Sequence, residues 1–183
     1  MKPFRLDPGA ALLLGLLLFA LRPEELAAVV TAALIHELGH VLALCVLGVP
    51  IFGVTITLGG PVLRCAGADR RSAQLLAAVS GPAAGLLLWA AARGVWPLCA
   101  EVSLLLSLVN LLPVRPLDGG RALAAMMRGR SAERLLAILE WAIPVGITLA
   151  GLLAVSRGYG AGPVFFGCWL LLLACQEPGI DVK

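Results

Sequence analysis

The sequence predicts an all-α polytopic membrane fold: about six transmembrane helices with a short membrane-associated β-hairpin after the second. Three observations carry this. Of the 183 residues, 60% are hydrophobic and only 14% charged, against roughly 25% charged in an ordinary soluble domain. The apolar residues fall in long runs, close to the about 20 residues that a helix needs to cross the hydrocarbon core. Short clusters of Arg, Pro and Gly separate the runs. The chain is therefore expected to form one transmembrane domain over residues 1–183, with no separate soluble domain, because the longest stretch without a candidate span is about residues 50–72.

Taken in order, the spans are expected at about residues 8–22, 24–48, 73–93, 97–114, 132–155 and 159–176. The first is short. The unbroken apolar run of residues 9–21 rises only about 20 Å as a helix, so flanking groups or local thinning of the bilayer must help it. The basic residues and apolar run at the start resemble a signal peptide, but no small-x-small cleavage pattern precedes Arg22, and the segment is read as a retained first helix. Pro23 suits the first turn of the second helix, with Glu24 and Glu25 at its positive dipole end, and Gly48 and Pro50 supply its stop signal. Between Ile51 and Cys65 the pattern becomes extended: residues 54–58 alternate and are β-branched, and Gly59-Gly60 is a hairpin signal.

Charge speaks to topology. With six spans, eleven of the fourteen Lys and Arg residues fall on the side of the N- and C-termini, leaving Arg22, Arg93 and Arg157 opposite. By the positive-inside rule both termini are cytoplasmic. The basic residues do not cluster with aromatics, so no nucleic-acid partner is expected; the lipid bilayer is. The five cysteines, Cys45, Cys65, Cys99, Cys168 and Cys175, lack CxxC spacing and read as buried small hydrophobes.

The chain has two histidines, His36 and His40, four residues apart with Glu37 between them. On a helix the two share a face and can chelate one metal ion, while Glu37 can reach a water activated there. His36 lies about 18 Å along the second helix, near mid-bilayer, where ionisable groups are costly and usually functional. A catalytic zinc site takes three protein ligands and leaves one position open. Glu101, Asp118 and Glu140 are the candidates for the third. Glu101 sits early in the fourth span, where the helix dipole explains it. Glu140 lies about two turns into the fifth and can pair with a nearby Arg. Asp118 stands in NLLPVRPLDGG, where Pro113 and Pro116 free backbone groups that are tolerated at membrane depth only along protein or a wet cavity.

His36-Glu37-Leu38-Gly39-His40, with Asn110, Pro113 and Leu117-Asp118-Gly119-Gly120 downstream, resembles the site-2 protease family of intramembrane metalloproteases. The layout and the NLLPxxPLDGGR run are most similar to the stage IV sporulation protein FB branch. The resemblance is closest from about Leu26 to Arg121, the expected catalytic core. It implies one zinc per chain held by His36, His40 and Asp118, with Glu37 as general base. It also implies a bacterial cell-membrane location, and hydrolysis of a peptide bond in or near the transmembrane segment of a membrane-tethered substrate, such as a transcription-factor precursor. A regulatory membrane partner would fit such a role. Asn110 is placed either to hold substrate or loop backbone or to make an ordinary hydrogen bond within the helix bundle. Ile56, in the extended segment, is expected to position substrate added as a further strand on residues 54–58, the alternative being that the hairpin only plugs the cavity entrance.

The sequence departs from the family twice. The sporulation branch usually carries a C-terminal nucleotide-binding module, and none is expected within residues 1–183. The family's GPxxN motif ends here in glycine: Gly81-Pro82-Ala83-Ala84-Gly85. Gly81, Pro82 and Gly85 are read as a close-packing surface near the site. Two other readings compete: a catalytically impaired homologue that binds transmembrane partners, and a metal transporter. The transporter would need further polar groups across the membrane, and the outer halves of the spans offer little beyond Glu101.

Overall fold

The computed structural model describes residues 4–57, 60–65, 71–127 and 129–175. A three-residue strand, β1 (Phe4–Leu6), leads into α1 (Pro8–Ala20) and α2 (Pro23–Val46). Two strands follow, β2 (Ile51–Thr57) and β3 (Gly60–Cys65), then α3 (Arg71–Ala92), α4 (Pro97–Asn110), α5 (Asp118–Met126), α6 (Arg130–Ser156) and α7 (Gly162–Cys175).

Local chemistry sets the helix ends. Asp7 caps α1 by accepting from the Gly9 N–H at 3.2 Å, and Pro8 follows with its backbone angle already helical. At α2 the Glu25 carboxylate accepts from the Arg22 N–H at 2.8 Å, leaving one fewer orphan donor at the helix start. Gly48, at φ +66°, ends the helix in the left-handed conformation that glycine adopts without penalty.

Apolar helices occur at all six expected positions. α2, α3 and α6 are long and apolar enough to cross a membrane. α1, α4 and α7 are shorter, at 13, 14 and 14 residues, which rise only about 20 Å against about 30 Å of hydrocarbon. Side-chain placement inverts the soluble pattern. Large apolar groups point outward, among them Leu12, Phe19, Val46 and Leu87, while the inside is built of Ala28, Ala32, Ala78, Ser103 and Ser107. In water this exterior would be a large sticky patch. In lipid it is the natural surface, and small residues inside let backbones approach.

α2 packs against α3 and α4, α3 also against α4 and α5, and α6 pairs with α7. The α6–α7 pair meets the rest through an apolar cluster in which Leu170 and Leu173 bury against Val114 and Leu117, just before α5.

Of the five cysteines read as buried only Cys99 is, while Cys45, Cys168 and Cys175 are exposed on the outer face of the helices. The structure corrects the reading of the fold in three further places. The expected hairpin is present as the antiparallel pair β2–β3, but it belongs to a three-stranded sheet ordered β1-β2-β3. β1 lies parallel on β2 with Phe4 opposite Val54, Arg5 opposite Thr55 and Leu6 opposite Ile56. Ile56 faces Leu6 on one side and Pro61 on the other, and its carbonyl accepts from the Asp7 N–H at 2.9 Å. The central strand therefore has no free edge at Val54, Thr55 or Ile56 for a substrate strand to join. Last, the LDGG motif opens a nine-residue helix, α5, in a stretch where the sequence reading placed no helix. Leu58, Gly59, Lys2, Arg70, Arg128, Lys183 and the last residue of the expected sixth span lie outside the described residues.

Candidate metal centre

His36 and His40 sit one turn apart on the inward face of α2, and both are buried. Asp118, also buried, is the first residue of α5. Three side-chain atoms converge between these elements. His36 Nε2 lies 3.1 Å from Asp118 Oδ2 and 3.2 Å from His40 Nε2. His40 Nε2 lies 3.2 Å from the same Asp118 oxygen.

Such a triangle fits a metal ion. Tetrahedral zinc, with ligand bonds of about 2.0–2.1 Å, needs ligand atoms about 3.3 Å apart, and the three edges come within about 0.2 Å of that. The chemistry of the donors points the same way. Two imidazole nitrogens and a carboxylate oxygen converge on one spot, a donor set suited to a shared cation. Among the described residues these three form the one group of His, Cys, Asp and Glu that could hold a metal.

The protonation of His40 follows from its surroundings. Nδ1 donates to the Ala77 carbonyl of α3 at 2.6 Å, and a carbonyl can only accept, so Nδ1 carries a proton, and in the neutral ring this leaves the Nε2 lone pair for a metal. Such outer hydrogen bonds fix ring orientation and raise ligand basicity. α3 also walls the ring from the side, since a Cβ on Gly81 would collide with the His40 imidazole. Gly39, in the HELGH motif itself, lets the helices close, because a Cβ there would lie 2.5 Å from the Ser80 carbonyl oxygen. His36 Nδ1 is buried with no hydrogen-bond partner among the described residues.

Asp118 is steered by its neighbours. Its second oxygen, Oδ1, lies 3.6 Å from Arg121 Nη1, one turn along α5, while Oδ2 faces the histidines. The tight turn into α5 depends on Gly120, where a Cβ would lie 2.6 Å from the Arg115 backbone nitrogen. Arg121 was quoted in the sequence motif but given no role; its i,i+3 spacing from Asp118 was the available signal.

The remaining candidates separate. Glu37 is half-buried on α2 and is not one of the three converging donors. Glu101 is exposed on α4. Glu140 is taken by Arg115, bound through Nε and Nη2, the latter at 3.2 Å from Oε2. With that carboxylate beside it, the Arg115 guanidinium is held above its already high ordinary pKa. Asn110 turns its amide back on its own helix, donating to the Leu106 carbonyl at 3.0 Å, so the structure does not bring it to the donors.

Gly81, Pro82 and Gly85 are all buried in α3. A Cβ at Gly85 would meet Ser107 Oγ, and Ser103 Oγ donates to the Gly85 carbonyl at 2.8 Å. The serines of α4 thus fill the space beside the residue that stands where the family motif has asparagine. The sequence reading passed over both serines.

No family model matches the chain. It is 33% identical over 159 residues to the protein named "Putative zinc metalloprotease Rip3" in two strains of Mycobacterium tuberculosis, Erdman and H37Rv, covering 76% of this chain and 40% of theirs. The chain thus spans about two fifths of the length of the curated relatives it matches. Among solved structures it is similar to the site-2 protease of Methanocaldococcus jannaschii, with a TM-score of 0.69 and 21% identity over 95% of this chain and 89% of the other. The fold is shared over nearly the whole chain. The chain thus shares its fold with that site-2 protease and about three quarters of its length with a protein named as a zinc metalloprotease.

Proposed function

We propose that this protein is an intramembrane zinc metalloprotease that hydrolyses a peptide bond in or near the transmembrane segment of a membrane-tethered protein. The observation that carries the reading is the meeting of His36 Nε2, His40 Nε2 and Asp118 Oδ2 at 3.1–3.2 Å inside a bundle of apolar helices. One zinc per chain, held by these residues, would bring the pKa of a water to about 7 and polarise the scissile carbonyl.

The protein groups do the rest. Glu37, adjacent to His36 and outside the ligand set, takes the proton of the attacking water and returns it to the leaving amine. Ala77 keeps His40 in the tautomer that presents Nε2, and Arg121 holds the outer oxygen of Asp118. We place the site in a single transmembrane peptidase domain with its core at about residues 26–121, six spans and cytoplasmic termini in a bacterial cell membrane. The positive-inside count supports that orientation. A transcription-factor precursor as substrate, a regulatory membrane partner and the sporulation branch rest on the motif resemblance alone.

The test is co-expression of wild type or Glu37→Gln with candidate membrane-tethered precursors. The variant should keep its zinc and lose the shortened product, since a general base contributes about 10²–10⁴-fold. Cleavage by Glu37→Gln at the wild-type rate would exclude the mechanism.

A further inference from the structure

Away from the metal centre, a cavity of about 220 Å³ lies between the start of α3, the end of α5 and the start of α6. Its polar wall is Arg71, Arg115 and Glu133, and its apolar wall includes Ala124, Met127 and Leu136. We infer that this cavity binds the headgroup of an aminophospholipid: a phosphodiester at Arg71 and Arg115, with the primary ammonium at Glu133.

Position comes first. Arg71 is the first residue of α3, and Glu133 lies in the first turn of α6. Both helices are long enough to span a membrane, so their ends mark the level where hydrocarbon gives way to headgroups. Basic pockets between transmembrane helices at that level take lipid phosphates. A lining that is polar on one side and apolar on the other matches an amphiphile better than a free ion.

Donor capacity comes next. Arg115 commits Nε and one N–H of Nη2 to Glu140, which leaves three of its five N–H donors. The same bonds hold the guanidinium plane in place. Arg71 has no ion pair among the described residues.

Charge then selects the headgroup. Of the two arginines in the lining, Arg115 is already neutralised by Glu140 from outside it, and Arg71 is matched by Glu133, so the four groups together carry no net charge. A purely anionic headgroup would gain from the arginines and lose against Glu133. A zwitterion with its amine free to donate satisfies both ends, and a quaternary ammonium cannot hydrogen-bond to the carboxylate. That ranks phosphatidylethanolamine above phosphatidylglycerol and phosphatidylcholine.

Occupancy would reach the metal centre. α5 forms one wall of the cavity, and its first residue is Asp118; Arg115 precedes it by three. A headgroup bridging Arg115 to α3 and α6 would brace the helix that presents the third ligand.

The experiment uses the full chain, delipidated and reconstituted in vesicles of phosphatidylcholine alone or with added phosphatidylethanolamine or phosphatidylglycerol. Two readouts are taken: lipid retained in native mass spectrometry, and the rate of zinc loss to a chelator. Wild type should retain phosphatidylethanolamine about fivefold better than the other two, the worth of about one headgroup contact, and lose zinc more slowly with it. Glu133→Gln should bring phosphatidylglycerol level with phosphatidylethanolamine. Arg71→Gln should weaken retention of both. Both side chains are exposed, so neither change threatens the fold. Protection by soluble phosphoethanolamine in detergent would support the same chemistry with a soluble donor in place of the bilayer. Equal retention of all three lipids by wild type, or a preference unchanged in both variants, would overturn the inference.

Discussion

Gly81→Ala tests how far the candidate metal centre depends on the backbone of α3. The new methyl group would fall on the His40 ring, 2.8 Å from Cδ2 and closer still to Cε1 and Nε2. An imidazole is rigid, so the ring must move as a body. It is tethered on its far side, because Nδ1 donates to Ala77 at 2.6 Å, one turn before Gly81 on the same helix. Moving away from the methyl therefore breaks that bond or pulls Nε2 out of its 3.2 Å contacts with His36 and Asp118. Losing an outer-sphere partner of a metal ligand weakens binding about 10–100-fold, or about 1.4–2.7 kcal/mol, and overpacking costs the fold a further 1–3 kcal/mol or so. The assay is zinc affinity by competition with a chromophoric chelator in detergent, with circular dichroism to confirm folding. Gly85→Ala, one turn on, is the control: its methyl meets the Ser107 hydroxyl, which can rotate away, and zinc affinity should hold within about twofold. A folded Gly81→Ala protein with wild-type zinc affinity would refute the reasoning.

Other expectations follow from the same geometry. Asp118→Asn should weaken zinc binding by at least about tenfold, read as zinc per chain after purification; undiminished zinc would remove Asp118 from the ligand set. Glu140→Gln should leave zinc content unchanged and lower thermal stability by about 1 kcal/mol, because its partner Arg115 is partly exposed and can be solvated. A cysteine introduced at position 95 should be labelled by membrane-impermeant reagents only from the non-cytoplasmic side, and labelling from the cytoplasm would reverse the proposed orientation.

The helices and the converging group of His36, His40 and Asp118 were legible in the sequence for physical reasons. A run of apolar residues declares itself by composition, and all six apolar helices lie where the runs are. The histidines needed only the helical period to share a face. Asp118 was one of three candidate carboxylates, and Glu140 pairs with an Arg, the alternative its position allowed. α5 was hidden because nine residues that begin Asp-Gly-Gly read locally as a turn. β1 was hidden because three residues carry no period, and their pairing with β2 spans some fifty positions of chain. Ser103 and Ser107 lie in an apolar run, where spacing cannot say which helix they will meet. The tether from Ala77 to His40 is a backbone group, to which side-chain identity is blind.

The short first strand has a practical side. Residues 4–6 cover one edge of β2, and without them that strand would present a row of bare amide and carbonyl groups. Bare edges recruit other chains, by swapping or by aggregation. An affinity tag fused close ahead of Phe4, or trimming past Leu6, would thus change how the protein behaves at high concentration, even with every metal ligand untouched. Where the amino-terminal handle is joined becomes part of the preparation's chemistry.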